Sequence, residues 1–172
     1  NLRAFGTPTV ALRWIANRAS EVGLRDDAVL LSCTKGIEHG TGQRMSEILR
    51  CVFPTQKVAV LSGPNLAVEV ARGLPTATVI GCEDDETVTD LQSALGSERF
   101  RIYTSDEVTG IELGGALKNV FAIPAGVSDG FGLGDNSKEA LVTRSRAELL
   151  RLGAAMGGQP RKFARLGGAG EP

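Results

Sequence analysis

The sequence predicts an α/β fold: a mostly parallel sheet covered by helices up to about residue 105, followed by an all-α part. Three observations predict it. Continuous apolar runs of strand length recur at residues 28–33 (AVLLSC), 57–61 (KVAVL) and 76–82 (TATVIGC). Helical patterns separate these runs, and no strand pattern returns after Tyr103. Runs that are apolar on both sides suit strands buried on both faces, as in a parallel sheet, and strands alternating with helices give a layered α/β arrangement.

The elements follow in order. The chain enters helical sequence almost at once after Asn1. Arg44 to Val52 places Met45, Ile48, Leu49 and Val52 on one helical face. Pro64 to Arg72 reads as a short helix with Pro near its start and Gly73 at its stop, the usual asymmetry of helix ends. Asp85 to Leu95 sets Val88, Leu91 and Leu95 on one stripe and stops at Gly96. Residues 99–103 (RFRIY) alternate, with Phe100 and Ile102 on one side, which suits an edge strand.

Thr104 to Glu107 has the S/T-x-x-E spacing of a capping box. The helix it opens carries Val108, Ile111, Leu117, Val120 and Phe121, and Pro124 should kink or end it. A glycine-rich loop should follow. Asn136 with Glu139 should cap a last long helix from about Ser137 to Met156, closed by Gly157, Gly158 and Pro160. A domain boundary is expected near residue 105, between 1–105 and 106–172.

Composition narrows the function classes. Nineteen basic and 20 acidic residues give a formal charge of −1, which points away from nucleic acid or an anionic membrane surface as partner. A small anionic substrate stays open, since a few placed lysines suffice. Cys33, Cys51 and Cys82 are far apart with no CxxC pair, so neither a disulfide framework nor a zinc site is expected. No signal-peptide pattern and no apolar run near membrane-spanning length are present, so a cytoplasmic protein is expected.

Three segments can carry chemistry. Lys35, in Thr34-Lys35-Gly36, follows the first apolar run, and ligands of open α/β sheets sit at the carboxyl ends of strands; a solvated loop lysine is the plain alternative. Ser62-Gly63-Pro64-Asn65-Leu66-Ala67 joins a strand to a short helix, where free N–H groups attract anions. Its plain alternative is an N-cap by Ser62 with Pro64 starting the helix. Gly114-Gly115-Ala116-Leu117-Lys118-Asn119 puts Lys118 among small and apolar residues, where burial would lower its pKa and suit it to proton transfer. The alternative is that Lys118 snorkels to solvent. His39, the only histidine, reads as a surface residue. The glycines at 126, 130, 132 and 134 do not form GxGxxG after a strand, so no dinucleotide fingerprint is encoded.

Together, TKGIEHGTGQRMSEIL, LSGPNLAVEVARGLPTA and RIYTSDEVTGIELGGALKNVFAIPAGVSDGFGLGDNSKEALVTRSRAEL resemble the bacterial NAD(P)-dependent glycerol-3-phosphate dehydrogenases. They cover nearly the whole chain in the family's order. The resemblance implies a Rossmann-like domain, a helical C-terminal domain and an active site between them. It implies interconversion of sn-glycerol 3-phosphate and dihydroxyacetone phosphate with NAD or NADP, in glycerophospholipid synthesis. By motif position, Lys118 resembles the family's catalytic lysine, and Lys35 a lysine shared by the cofactor and substrate sites. Gly63 and Asn65 match substrate-contacting positions, although bacterial members commonly have Thr or Ser at the second. Ala67 matches a cofactor-contacting position, and Glu171 falls where the family has an aspartate. A homodimer is left open.

The family's glycine-rich turn would precede residue 1 and its substrate-phosphate arginine would follow residue 172. The chain is therefore expected to be a central fragment with little dehydrogenase activity by itself. A related 3-hydroxyacid or sugar-acid dehydrogenase, or a non-catalytic fragment, are the competing readings.

Overall fold

A computed structural model describes residues 1–158 of the chain. Five strands form one sheet in the order β1 (Leu2–Phe5), β2 (Val29–Ser32), β3 (Lys57–Ser62), β4 (Thr76–Gly81) and β5 (Phe100–Ser105). β1, β2 and β3 run parallel, as do β4 and β5, but β3 and β4 are antiparallel. The sheet is thus mostly parallel, with one reversal that the apolar runs do not reveal. The link from Gly63 to Pro75 holds only the five-residue helix α3 (Ala67–Ala71). That helix rises about 7.5 Å against the roughly 20 Å of a six-residue strand, too little to carry the chain back for a parallel crossover.

Each face of the sheet has its own core. Leu30 and Val58 face α1 (Leu12–Val22) and α2 (Met45–Val52), where Leu12, Ala16, Ile48 and Leu49 are buried. Leu31, Ala59 and Ile80 face the opposite side, where Val88 and Leu91 of α4 (Asp85–Leu95) close the layer. The stripes read from the sequence for α2 and α4 are the faces that these two helices bury. α4 is capped by the Asp84 carboxylate, which accepts from the Thr87 N–H.

Beyond Ser105 only helices occur among the described residues: α5 (Val108–Gly130) and α6 (Gly134–Ala155). α5 starts on the α1–α2 face, where Val108 and Ile111 pack with Val60. A side chain at Gly81 would put its Cβ 2.6 Å from Ile111 Cδ1, so glycine lets the helix lie directly on the sheet.

Several local expectations are corrected. Residues 2–5 form a strand, not the start of a helix, because backbone pairing with β2 holds them although only Phe5 is buried. The capping box does not start at Thr104: pairing with β4 extends β5 to Ser105, and Glu107 caps α5 by accepting from the Gly110 N–H. Pro124 neither ends α5 nor opens a long loop. It sits on an exposed part of the helix, where the carbonyl it leaves unpaired can be hydrated. The expected glycine-rich loop shrinks to a turn after Gly130, with a Lys138–Asp129 ion pair of 2.7 Å tying the two helices. α6 begins at Gly134 without a side-chain cap, so Asn136 lies inside it. Ser62 is the last residue of β3, and α3 starts later, after Leu66, without a side-chain cap.

Candidate active site

The site is built where β2 and β3 end and α5 passes over them. The Thr34–Lys35 loop is stitched to the connection after β1. Thr34 Oγ1 donates to the Thr7 carbonyl at 2.9 Å, and Thr9 Oγ1 donates to the Lys35 carbonyl at 2.9 Å. Gly36 has φ +149° and lies so close to Thr9 that a Cβ would collide with it. Further along, Glu38 takes both arms of Arg13 at 2.7 Å, and Thr41 Oγ1 donates to it at 2.5 Å. These bonds hold its carboxyl down to about 2. The loop is fixed at its start and in its middle.

Lys35 reaches from that loop to β3, donating from Nζ to the Gly63 carbonyl at 2.6 Å. Gly63 rests on β4: a Cβ there would lie 3.0 Å from both Cα and Oγ1 of Thr78. Above them passes Gly115 of α5, where a Cβ would lie 2.6 Å from Ser62 Oγ and 3.5 Å from Lys35 Cγ. One turn beyond Gly115 is Lys118, on the wall of the same cleft. Partial burial and then the charge of Lys118 pull the Lys35 ammonium below the ordinary lysine value.

The cleft measures ≈ 610 Å³. Lys35, Lys118 and Arg146 bring three cationic side chains to its wall, and no carboxylate lines it among the described residues. Aliphatic and aromatic groups such as Ile111, Phe121 and Leu149 form much of the rest. Apolar walls with a few placed polar groups are the usual build of a small-molecule site, and here those groups favour an anion.

Lys35, Gly63 and Lys118 are brought together. The apolar burial expected of Lys118 is not found, because α5 emerges from the sheet before residue 118 and leaves that side chain exposed. Asn65 lies behind the wall: its Nδ2 donates to Thr78 Oγ1 at 2.9 Å, and Thr78 donates on to the Ser62 carbonyl at 2.9 Å. Ala67 is exposed at the start of α3 and is not on the cleft wall. The helix-start anion site expected here is also absent, since α3 is a five-residue helix that begins beyond the loop. Glu171 lies outside the described residues.

Sequence reasoning missed Thr78 and Arg146. Thr78 sits within an apolar strand run with nothing to mark its hydroxyl. Arg146 had a signal, since Val142, Ser145, Arg146, Leu149 and Leu150 all line the cleft at the i, i+3, i+4, i+7, i+8 spacing of one helical face.

A mostly parallel sheet with its cleft at the strand ends, closed by a helical hairpin, is the arrangement of a Rossmann-like protein with a helical partner domain. Residues 2–88 match the model of the NAD-dependent glycerol-3-phosphate dehydrogenase N-terminus, and residues 107–171 that of its C-terminus. The chain belongs to this family. It is 42% identical over 167 residues to a glycerol-3-phosphate dehydrogenase (NAD(P)+) of Clostridium tetani, covering 97% of the chain and 48% of that relative. To the one of Streptomyces griseus it is 48% identical over 150 residues, covering 86% and 45%. A crystal structure of glycerol-3-phosphate dehydrogenase from Coxiella burnetii superposes with TM-score 0.85 at 34% identity, over 98% of this chain and 51% of that one. The chain spans about half the length of the curated relatives it matches.

Proposed function

We propose that the protein carrying this chain is an NAD(P)-dependent glycerol-3-phosphate dehydrogenase. It interconverts sn-glycerol 3-phosphate and dihydroxyacetone phosphate in the cytoplasm, supplying glycerophospholipid synthesis. The observation that carries the reading is the placement of Lys35 and Lys118, from two different elements, on the wall of one cleft. The relatives' names supply the reaction. Residues 1–105 serve as part of the nucleotide-binding domain and 106–172 begin the helical substrate domain. No helix among the described residues is long and apolar enough to cross a membrane.

The cleft suits the ligands this reaction needs. Lys35, Lys118 and Arg146 on its wall match a phosphorylated substrate, and the apolar stretches suit a nicotinamide ring. A bound reduced nicotinamide would supply the hydride for the carbonyl carbon. The carbonyl oxygen then becomes alkoxide-like, and the Lys118 ammonium gives it a proton, leaving a neutral amine. In the reverse direction the amine removes that proton. Lys35 stays charged and holds the anionic end of the substrate beside Gly63, with Ala67 on the cofactor side. Glu171 is a further proposed substrate contact, and Asn65, turned to Thr78, supports the Ser62–Gly63 turn from behind the wall.

The test is steady-state oxidation of NADH and NADPH by the complete gene product with dihydroxyacetone phosphate. Lys118→Met should lower turnover by about a hundredfold, the scale of a lost general acid. Lys35→Met should raise KM more than it lowers turnover. A folded Lys118→Met enzyme with near-normal turnover would refute the catalytic role, and a parent that does not oxidise either nucleotide would refute the reaction.

A further inference from the structure

One buried charge cluster takes no part in the cleft. Glu112 and Arg44 pair at 2.8 Å with only 5% and 9% of their side chains exposed. Glu112 Oε1 also accepts from the backbone N–H of Ser46 at 2.7 Å, and Oε2 from the Ser46 hydroxyl at 2.6 Å. The other arm of Arg44 meets Glu47 at 2.7 Å, and Glu47 accepts from the Arg44 N–H. The carboxylate of α5 therefore caps the N-terminus of α2. Arg44 stands at the cap position of α2 and its side chain has no acceptor to offer.

Stability alone does not call for such a cluster. Desolvating an ion pair consumes most of its attraction, and apolar side chains of similar volume hold a core as well. What charged bonds add is direction, because each donor and lone pair must meet at a fixed angle. Here the direction concerns the cleft. Arg44 closes the loop that Lys35 opens, and Glu112 lies six residues before Lys118 and three before Gly115 on α5. The two lysines repel each other across the cleft, so their separation must be imposed from elsewhere.

We propose that Glu112, Arg44 and Ser46 form a positioning clamp that locks α5 to α2 and so holds Lys118 at its working distance from Lys35. None of the three touches substrate. The inference rests on the dehydrogenase reading, and one of its two tests is independent of that reading.

In the complete gene product, the double variant Arg44→Met/Glu112→Gln removes both buried charges of the pair, and Glu47, which loses its Arg44 bond, is partly open to water. It should stay folded, with kcat about tenfold lower and KM changed by less than about threefold, as expected for a misplaced proton donor. With Glu112 intact, Arg44→Met should lower turnover at least as far, and Arg44→Lys, which keeps a cation facing Glu112, should retain most of it. A folded double variant with kcat within twofold of the parent would overturn the clamp.

The second test measures Lys35 by competitive acylation against pH, and needs no turnover. The groups that face Lys35 are Cys33 beside it, Lys118 from α5 and, across the same cleft, Arg146 from α6 and Tyr103 from β5. In the parent, Lys35 should titrate below an ordinary lysine. In the double variant its titration should move up, because α5 carries Lys118 away. Identical profiles in parent and variant would overturn the clamp even if the parent proved to have no dehydrogenase activity. Should the double variant fail to fold, Ser46→Ala removes one bond of the set and should shift the Lys35 profile in the same direction, and no shift would count against the proposal.

Discussion

The two halves of α5 live under different conditions. Its first turns are part of the sheet's packing: Val108, Ile111 and Leu113 are buried, and Glu112 is bonded into α2. Its later turns carry Val120, Ile123 and Val127 more than half exposed, and among the described elements α6 is the main neighbour of α5 beyond the sheet. Lys118 stands at the changeover. The contrast teaches that the cleft has one wall fixed by a finished core and another that is anchored at one end only. Precise placement of Lys118 has to come from the anchored end.

The largest expected effect would break the anchored side. Ile48 is fully buried under the sheet, and Ile48→Ala should cost about 2–5 kcal/mol by lost burial and the cavity left behind. Urea unfolding of the chain would measure it, and a change below about 1 kcal/mol would show that the site can collapse around the gap.

Next in size is Gly115→Val, which attacks the seam between the halves. The new Cβ would meet Ser62 Oγ at 2.6 Å and Lys35 Cγ at 3.5 Å, so the Ser62 hydroxyl must turn aside and the γ-methyls of valine press α5 away from β3. A displacement near an ångström should lower kcat/KM of the complete gene product by about a hundredfold while the sheet keeps its own stability. Unchanged kinetics would mean that α5 is not held against β3 in solution.

A smaller effect tests the loop that carries Lys35. Arg13 and then Thr41 hold Glu38 well below its usual 4.5, at about 2. A depressed carboxyl contributes stability that is fully present above 4.5 and fades as pH falls toward 2 by proton linkage. Arg13→Met should thus lower the melting temperature near neutral pH and make no difference near pH 2, a convergence that thermal scans across acid pH would detect. Parallel curves over that range would rule out the Glu38 bond as the cause.

The smallest effect sharpens the contrast from the other side. Ile123 is 67% exposed, and Ile123→Ala should change the stability of the chain by no more than about 0.5 kcal/mol. The same residue type, tested in two places, should give results several-fold apart.

How much of this could be read from the residues follows the same division. β2, β3 and β4 are legible because both their faces are buried, which forces continuous apolar runs. The helical stripes of α2 and α4 are legible because each covers one face. β1 is not, since only Phe5 is buried and the strand is held by pairing with β2. The reversal between β3 and β4 depends on the length of a connection, which side-chain pattern does not record. The span from Pro124 to Asn136 misleads because proline and glycine are read as breakers, while an exposed helix face tolerates both.

The site divides likewise. Lys35 and Gly63 could be placed from their position after strands. The exposure of Lys118 depends on where α5 leaves the sheet, and the turning of Asn65 toward Thr78 depends on a contact between elements. Neither is local to any motif.

The reversal of the sheet has a geometric consequence. β5 runs toward the end of the sheet away from the cleft, since Ser105 pairs with Gly81 while Gly81 pairs with Val60. α5 must then travel back along β3, passing Val60 at Ile111 and Ser62 at Gly115. Those four helical residues advance about 6 Å, and the two strand residues beneath them about 6.6 Å, so helix and strand keep step. α5 acts as a ruler laid along β3, and Lys118 is a mark on its scale. One alanine inserted after Leu113 would move that mark about 1.5 Å and turn it about 100° around the helix, pointing the ammonium out of the cleft with every anchoring contact before it unchanged.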